Sequence, residues 1–333
     1  MAALETTSPT AKATSSPNRL LRDLAGLAVI LIVAAIGFLL FPNNLALLTR
    51  ITAIALLVLS LDLVTGYCGI ATLGHAALFG AGAYAAGIAA AHFDINDPIA
   101  MVAIGALGGA VAGLVSGAVI LRGHGLAQLV LSIAVVHLFH EIANKASEWT
   151  GGSDGLSGIS PDPVFGVFEF DLWGHTAYGF GIALLVIVFM LLRILVRSPF
   201  GMLCRGIKED PIRVSAMGAS VQGTLLRMYV ISGAVAGIGG ALNAISTQVV
   251  GLDSLSFTTS AESLVMLVLG GTGSLFGALI GTVSFMVFKD FVSAVNPFHW
   301  LTIVGALLIA VVLFAPKGLY GTAAQLLNRS RRQ

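Results

Sequence analysis

His137, His140 and Glu141 stand at i, i+3 and i+4 spacing, so a helix would place two imidazoles and a carboxylate on one face, as in part of a metal site. No second segment supplies the missing ligands, and ordinary polar side chains near a helix end are the other reading. Asp62 and Glu262 are carboxylates within apolar runs, where an ionisable group is costly and therefore a functional candidate. Both fall near expected helix ends from which they can reach water, which makes a structural role the alternative. Thr72 and His75 lie in TGYCGIATLGHAALFGAGAY, residues 65–84, together with Gly66, Gly69, Gly74, Gly80 and Gly82. Each glycine inside a helix costs about 1 kcal/mol relative to alanine, so this run needs a compensating reason. One reason is an unwound segment lining a path, with Thr72 and His75 as its polar groups. Another is close helix packing, with His75 bonded to a neighbouring helix. No G-x-x-x-x-G-K-[ST] phosphate loop, nucleophile elbow, zinc-ligand array or haem-attachment motif occurs, so catalysis by this chain is not expected.

The elements that must position these residues are membrane helices. Of 333 residues, 57% are hydrophobic and 10% charged, against about 25% charged in soluble domains. Runs of roughly 18–20 apolar residues, the length that crosses a bilayer, imply an all-α polytopic bundle. Ten passes are expected: 24–41, 46–66, 69–91, 98–121, 125–144, 175–196, 225–246, 261–272, 274–294 and 298–316. Residues 1–23 form an expected disordered cytoplasmic tail, 24–316 the membrane domain and 317–333 a C-terminal cytoplasmic tail. With the N-terminus inside, all but Arg50, Lys145 and Lys289 of the 17 Lys and Arg fall on the cytoplasmic side. That orientation requires 261–272 to be a short half-helix, broken at Gly270, Gly271 and Gly273 and shielded by protein. Net charge is +1, and no basic cluster interleaved with aromatics suits nucleic acid. Cys68 and Cys204 make no disulfide framework and read as plain small residues.

Glycine spacing predicts tight packing. Gly105, Gly109, Gly113 and Gly117 recur every four residues, as do Gly233 with Gly237, and Gly273, Gly277 and Gly281. The external segment 146–174, rich in Gly, Ser, Asp and Pro, is either a plain loop or a cap over the bundle where a soluble partner docks.

One segment is polar in an otherwise oily chain: SPFGMLCRGIKEDPIRVSAMGAS, residues 198–220. Burying its charges at mid-span would cost roughly 2.5–3.5 kcal/mol each, so it lies outside the bilayer, on the cytoplasmic side. Asp210 before Pro211 is an N-cap followed by proline at the first helical position, and Gly218 is a stop, giving a short helix over 211–217. Ile212 with Ala216, and Val214 with Met217, give it apolar contact points. So short a helix is marginal alone and calls for a partner surface, a loop that merely obeys charge asymmetry being the alternative.

At these residues the chain resembles the permease subunits of branched-chain amino-acid ABC importers. The resemblance rests on Ser198, Phe200, Gly201, Arg205, Glu209, Ala216, Met217 and Gly218, and extends to GYCGIATLGHAALFGAGAY, TGGSDGLSGI, SGAVAGIGGAL, LVLGGTGSLFGALIGT and FAPKGLYG. Two departures stand out: Ile70 replaces the family's usual glutamine, and Lys208-Glu209-Asp210 replaces arginine–glutamate–asparagine. The resemblance implies a permease in a bacterial inner membrane, both termini cytoplasmic. It would import branched-chain amino acids or a related small solute such as another amino acid, urea or a short amide. It also implies two cytoplasmic ATPases that hydrolyse Mg–ATP, a second related permease in a heterodimer and a periplasmic solute-binding protein, with no cofactor in this chain itself. The coupling segment would be 198–224, with Phe200, Gly201, Arg205, Glu209, Asp210, Pro211, Ala216, Met217 and Gly218 docking an ATPase. Gly69, Thr72, Gly74, His75, Gly270, Gly271 and Gly273 would line the path. A ribose-type sugar permease is the near alternative, and a self-sufficient channel or secondary transporter the distant one; the last would more often show intramembrane charge pairs.

Overall fold

The computed structural model describes residues 44–171 and 174–295, the stretch 30–39, and isolated positions at 28, 302, 305, 306, 309, 318 and 321. The expected tails and the pass at 298–316 lie outside the described residues, the isolated positions excepted. A helix α1 (Ile30–Leu39) falls within the expected first pass and belongs to a separate unit, residues 1–42.

In the second unit, α2 (Leu45–Leu61) runs without interruption into a π-helical turn, Asp62–Tyr67. Residues 68–74 are not helical, and α3 starts only at His75 (His75–Phe93). The expected pass at 69–91 therefore loses its first turn and a half, and Gly69, Thr72 and Gly74 sit in an unwound link. Then follow α4 (Pro98–Ile120), α5 (Leu126–Lys145), a single turn α6 (Ser147–Thr150) and α7 (His175–Arg197). After the polar segment come α10 (Val221–Thr247), α11 (Phe257–Gly270) and α12 (Leu275–Val295). Among the described residues, seven helices are long and apolar enough to cross a membrane; α11, of 14 residues, is the expected short one.

The glycine stripes pack as their spacing predicts. A Cβ at Gly109 would collide with the Gly233 carbonyl, one at Gly237 with the Gly105 carbonyl, and one at Gly82 with Gly237. Backbones of α3, α4 and α10 thus touch directly, which no larger residue would allow. Gly270, Gly277 and Gly281 close the α11–α12 hairpin in the same way. That hairpin also holds an ion pair, Lys289 Nζ to Glu262 Oε1 at 2.7 Å, with side chains only 23% and 18% exposed.

The 146–171 segment is not a plain loop. Leu156 pairs with Val250 through two backbone hydrogen bonds, Asp162 N–H donates to the Asn96 carbonyl, and Trp149 stacks on His92 and Phe93 at the end of α3. Slight desolvation raises the Asp171 carboxyl, but hydrogen bonds from His175 and Thr176 at the start of α7 outweigh it and hold the group below its ordinary range. Because α7 spans 23 residues, about 34 Å at 1.5 Å each, this segment and the 198–220 segment stand at opposite ends of the bundle.

Candidate functional site

The polar segment folds as two helices where the sequence reading gives one. Besides α9 (Pro211–Ala216), an 11-residue helix α8 covers Pro199–Glu209. Its signal was available: Ser198 before Pro199 repeats the grammar of Asp210 before Pro211, and each cap accepts backbone N–H groups of its first turn. Gly218, at φ +86°, ends α9 in the left-handed conformation as expected.

The two helices differ in how much of each is buried. In α8, Gly201, Cys204 and Ile207 are buried; a Cβ on Gly201 would strike the Val196 carbonyl, so this glycine sets the tight α7–α8 corner. Phe200 is half-buried and lines an apolar groove with Leu114, Leu195, Leu226 and Val230. In α9 only Val214 is buried, whereas Ile212 is 81% and Met217 73% exposed, with Ala216 and Glu209 also open. The expected pairings Ile212 with Ala216 and Val214 with Met217 are thus split by burial: Val214 holds the helix down, and the others face outward.

The inner face of α8 grips the first break. Lys208 Nζ donates to the Gly66 carbonyl at 2.6 Å, the Arg205 guanidinium lies 5.0 Å from the Tyr67 ring centre, and Cys204 lies beside Cys68. The two cysteines, read from sequence as unrelated small residues, meet here. Gly69, at φ +77°, lies under the Lys208 stem; a Cβ there would come within 2.8 Å of Lys208 Cγ.

Asp62 is the residue that the sequence reading misplaced. It does not reach water: it is wholly buried, and its Oδ1 accepts the Gly273 N–H at 2.7 Å. A buried, unsatisfied carboxylate costs several kcal/mol, so this bond to the second break is needed. A Cβ on Gly66 would collide with Asp62 Oδ1 and come within 2.5 Å of Gly273 N. Gly271 and Gly273 have φ of +107° and +79°, which turns the chain between α11 and α12. The two glycine-rich breaks, read separately from sequence, thus form one junction.

Above it, Thr72 Oγ1 accepts the Gly74 N–H, Ser132 Oγ accepts that of Leu73, and Ser260 Oγ accepts that of Ala76. His75 is wholly buried and its Nε2 lies 2.7 Å from Ser232 Oγ. Ser232 gives its only proton to the Ser60 carbonyl, so His75 must donate through Nε2, leaving Nδ1 without a partner. His75 therefore bonds a neighbouring helix, as the packing alternative has it, while staying at the edge of the unwound link. His137 stacks on Phe257, and among the described residues no three metal-ligating side chains converge.

A cavity of about 850 Å³ lies where these parts meet, lined by Cys68–Ile70, by His124 and Gln128 at the start of α5, and by Ile207–Lys208 and Pro211–Ile212. Of the predicted path residues only Gly69 lines it, together with Pro211 and Ala216 of the predicted docking residues. The whole chain from residue 43 to 312 matches the family described as branched-chain amino acid transport system / permease component. The chain belongs to that family. It is 27% identical over 315 residues, 88% of this chain and 73% of the relative, to the high-affinity branched-chain amino acid transport system permease protein LivM of Salmonella typhimurium. It is 25% identical to LivM of Escherichia coli over 313 residues, with the same coverage. The permease protein BraD of Pseudomonas aeruginosa is 28% identical over 137 residues, 41% of this chain and 44% of the relative. No solved structure matches. This multi-pass membrane protein is therefore a permease subunit and not itself an enzyme, and the amino-acid reading stands over the sugar-permease alternative. The Glu262–Lys289 pair has the form expected of an ion-coupled transporter, yet it joins the two legs of one hairpin and reads here as a brace.

Proposed function

We propose that this chain is the pore subunit through which an ATP-driven importer carries branched-chain amino acids, or a related small amphipathic solute, across a bacterial inner membrane. Separate ATPases hydrolyse Mg–ATP and dock on 198–220; a second permease and a periplasmic binding protein complete the assembly. Both termini are cytoplasmic, consistent with the distribution of Lys and Arg. The observation that carries the docking role is α9: a capped six-residue helix that exposes Ile212 and Met217 at the polar end of an apolar bundle. Such a helix needs a protein partner to cover it. The 850 Å³ cavity, with apolar Ile70, Leu121 and Ile207 beside polar His124, Gln128 and Gln222, suits the release of an amphipathic solute next to that partner.

The assembled complex, purified from membranes and placed in liposomes, should contain ATPase chains and accumulate leucine when ATP is supplied on their side. Absence of an ATPase chain from the intact complex sinks the importer reading. Urea and a short amide, offered as competitors, distinguish the solute classes. Replacing Arg205 and Glu209 together by alanine should abolish ATP-dependent uptake while membrane insertion stays normal.

A further inference from the structure

Lys208 is an exposed residue, yet its ammonium reaches inward to the Gly66 carbonyl, 142 positions away. Three features form a seat for it. Gly69 has no side chain where the Lys208 stem lies, and its φ of +77° disfavours any other residue. The π-turn Asp62–Tyr67 leaves the Gly66 carbonyl available to accept from outside the helix. Asp62 lies against Gly66, since a Cβ there would collide with its carboxyl; its Oδ1 holds the Gly273 N–H, and its Oδ2 is buried and has no partner. An ammonium has three donors, and the Gly66 carbonyl takes one of them.

We propose that Lys208 is the positioning residue that couples α8 to both breaks, a latch whose ammonium moves between the Gly66 carbonyl and Asp62 Oδ2 as the docked ATPases push on α8 and α9. Motion of the polar segment then reaches residues 68–74 through Gly66, and residues 271–274 through Asp62. An ammonium that alternates between two acceptors gives the latch two positions, which is what a transport cycle with two states requires. The inference rests on the reading of 198–220 as the ATPase-docking segment.

The experiment uses the complete complex in liposomes and reads ATP hydrolysed per leucine imported. Lys208→Met keeps the stem and removes the donors. It should retain its ATPase subunits at the wild-type ratio, while ATP consumed per leucine rises about tenfold or more, within the usual range of a coupling free energy. Lys208→Cys should behave likewise, and alkylation with 2-bromoethylamine, which rebuilds an ammonium of nearly lysine length, should bring the ratio back to within about threefold of wild type. Treated wild type is the control, since Cys68 and Cys204 are buried. A wild-type ratio in Lys208→Met overturns the latch, as does failure of the alkylated variant to recover. Loss of the ATPases or of assembly in Lys208→Met would make it a docking or folding residue and equally overturn it. A wild-type complex without ATPase chains would instead defeat the importer reading itself.

Discussion

Helices α8 and α9 are consecutive, begin with the same cap-and-proline grammar and lie in one polar segment, yet they are buried to different extents. α8 buries Gly201, Cys204 and Ile207 and lays Arg205 and Lys208 on the break between α2 and α3; α9 buries Val214 alone and exposes Ile212 and Met217. Local grammar decided that both are helices, and length decided the rest. Eleven residues give about three turns, enough for an inward face to reach the bundle, whereas six give less than two. One helix is thus an arm attached to the bundle and the other a handle left for a partner.

The comparison can be broken from either side. The largest effect is expected at the junction under α8: Gly66→Leu places a side chain against Asp62 and Gly273, so intact protein recovered from membranes should fall about tenfold or more, as for severe overpacking. Wild-type recovery would show that the two breaks are not packed together. Next comes the handle. Ile212→Asp combined with Met217→Asp should weaken ATPase association about tenfold or more, measured as the ATPase-to-permease ratio after purification, with unchanged membrane insertion. An unaltered ratio would move the docking face elsewhere. Smaller is Asp210→Ala, which removes the acceptor for the Ile212 and Arg213 N–H groups at about 1 kcal/mol; hydrogen exchange over 211–217 should quicken about fivefold while α8 stays protected. Equal loss of protection in both helices would mean that they unfold as one unit. Smallest is Arg213→Ala, which breaks an exposed ion pair with Asp210 and should change the same exchange rates by less than about 1 kcal/mol equivalent.

Much of this was legible from local chemistry. Hydropathy placed the long helices to within a few residues, the four-residue glycine spacing marked the α4–α10 contact, and Asp210, Pro211 and Gly218 bounded α9. Even α8, which the sequence reading passed over, was announced by Ser198 and Pro199. Asp62 and Lys208 were different. The apolar run around Asp62 gave no sign that its carboxylate faces Gly273, 211 positions along the chain, and Lys208 looked like one more solvated charge in a cytoplasmic loop.

Hydropathy, caps and residue spacing act within a few turns, so the chain by itself determined where helices start and stop, which backbones can touch and which segment must stay out of lipid. Only the tertiary structure decided that the two breaks share one junction and that α8 reaches it. Those contacts depend on how separately formed helices stack, and a buried carboxylate or an unwound carbonyl acquires its partner only once that stacking has excluded water.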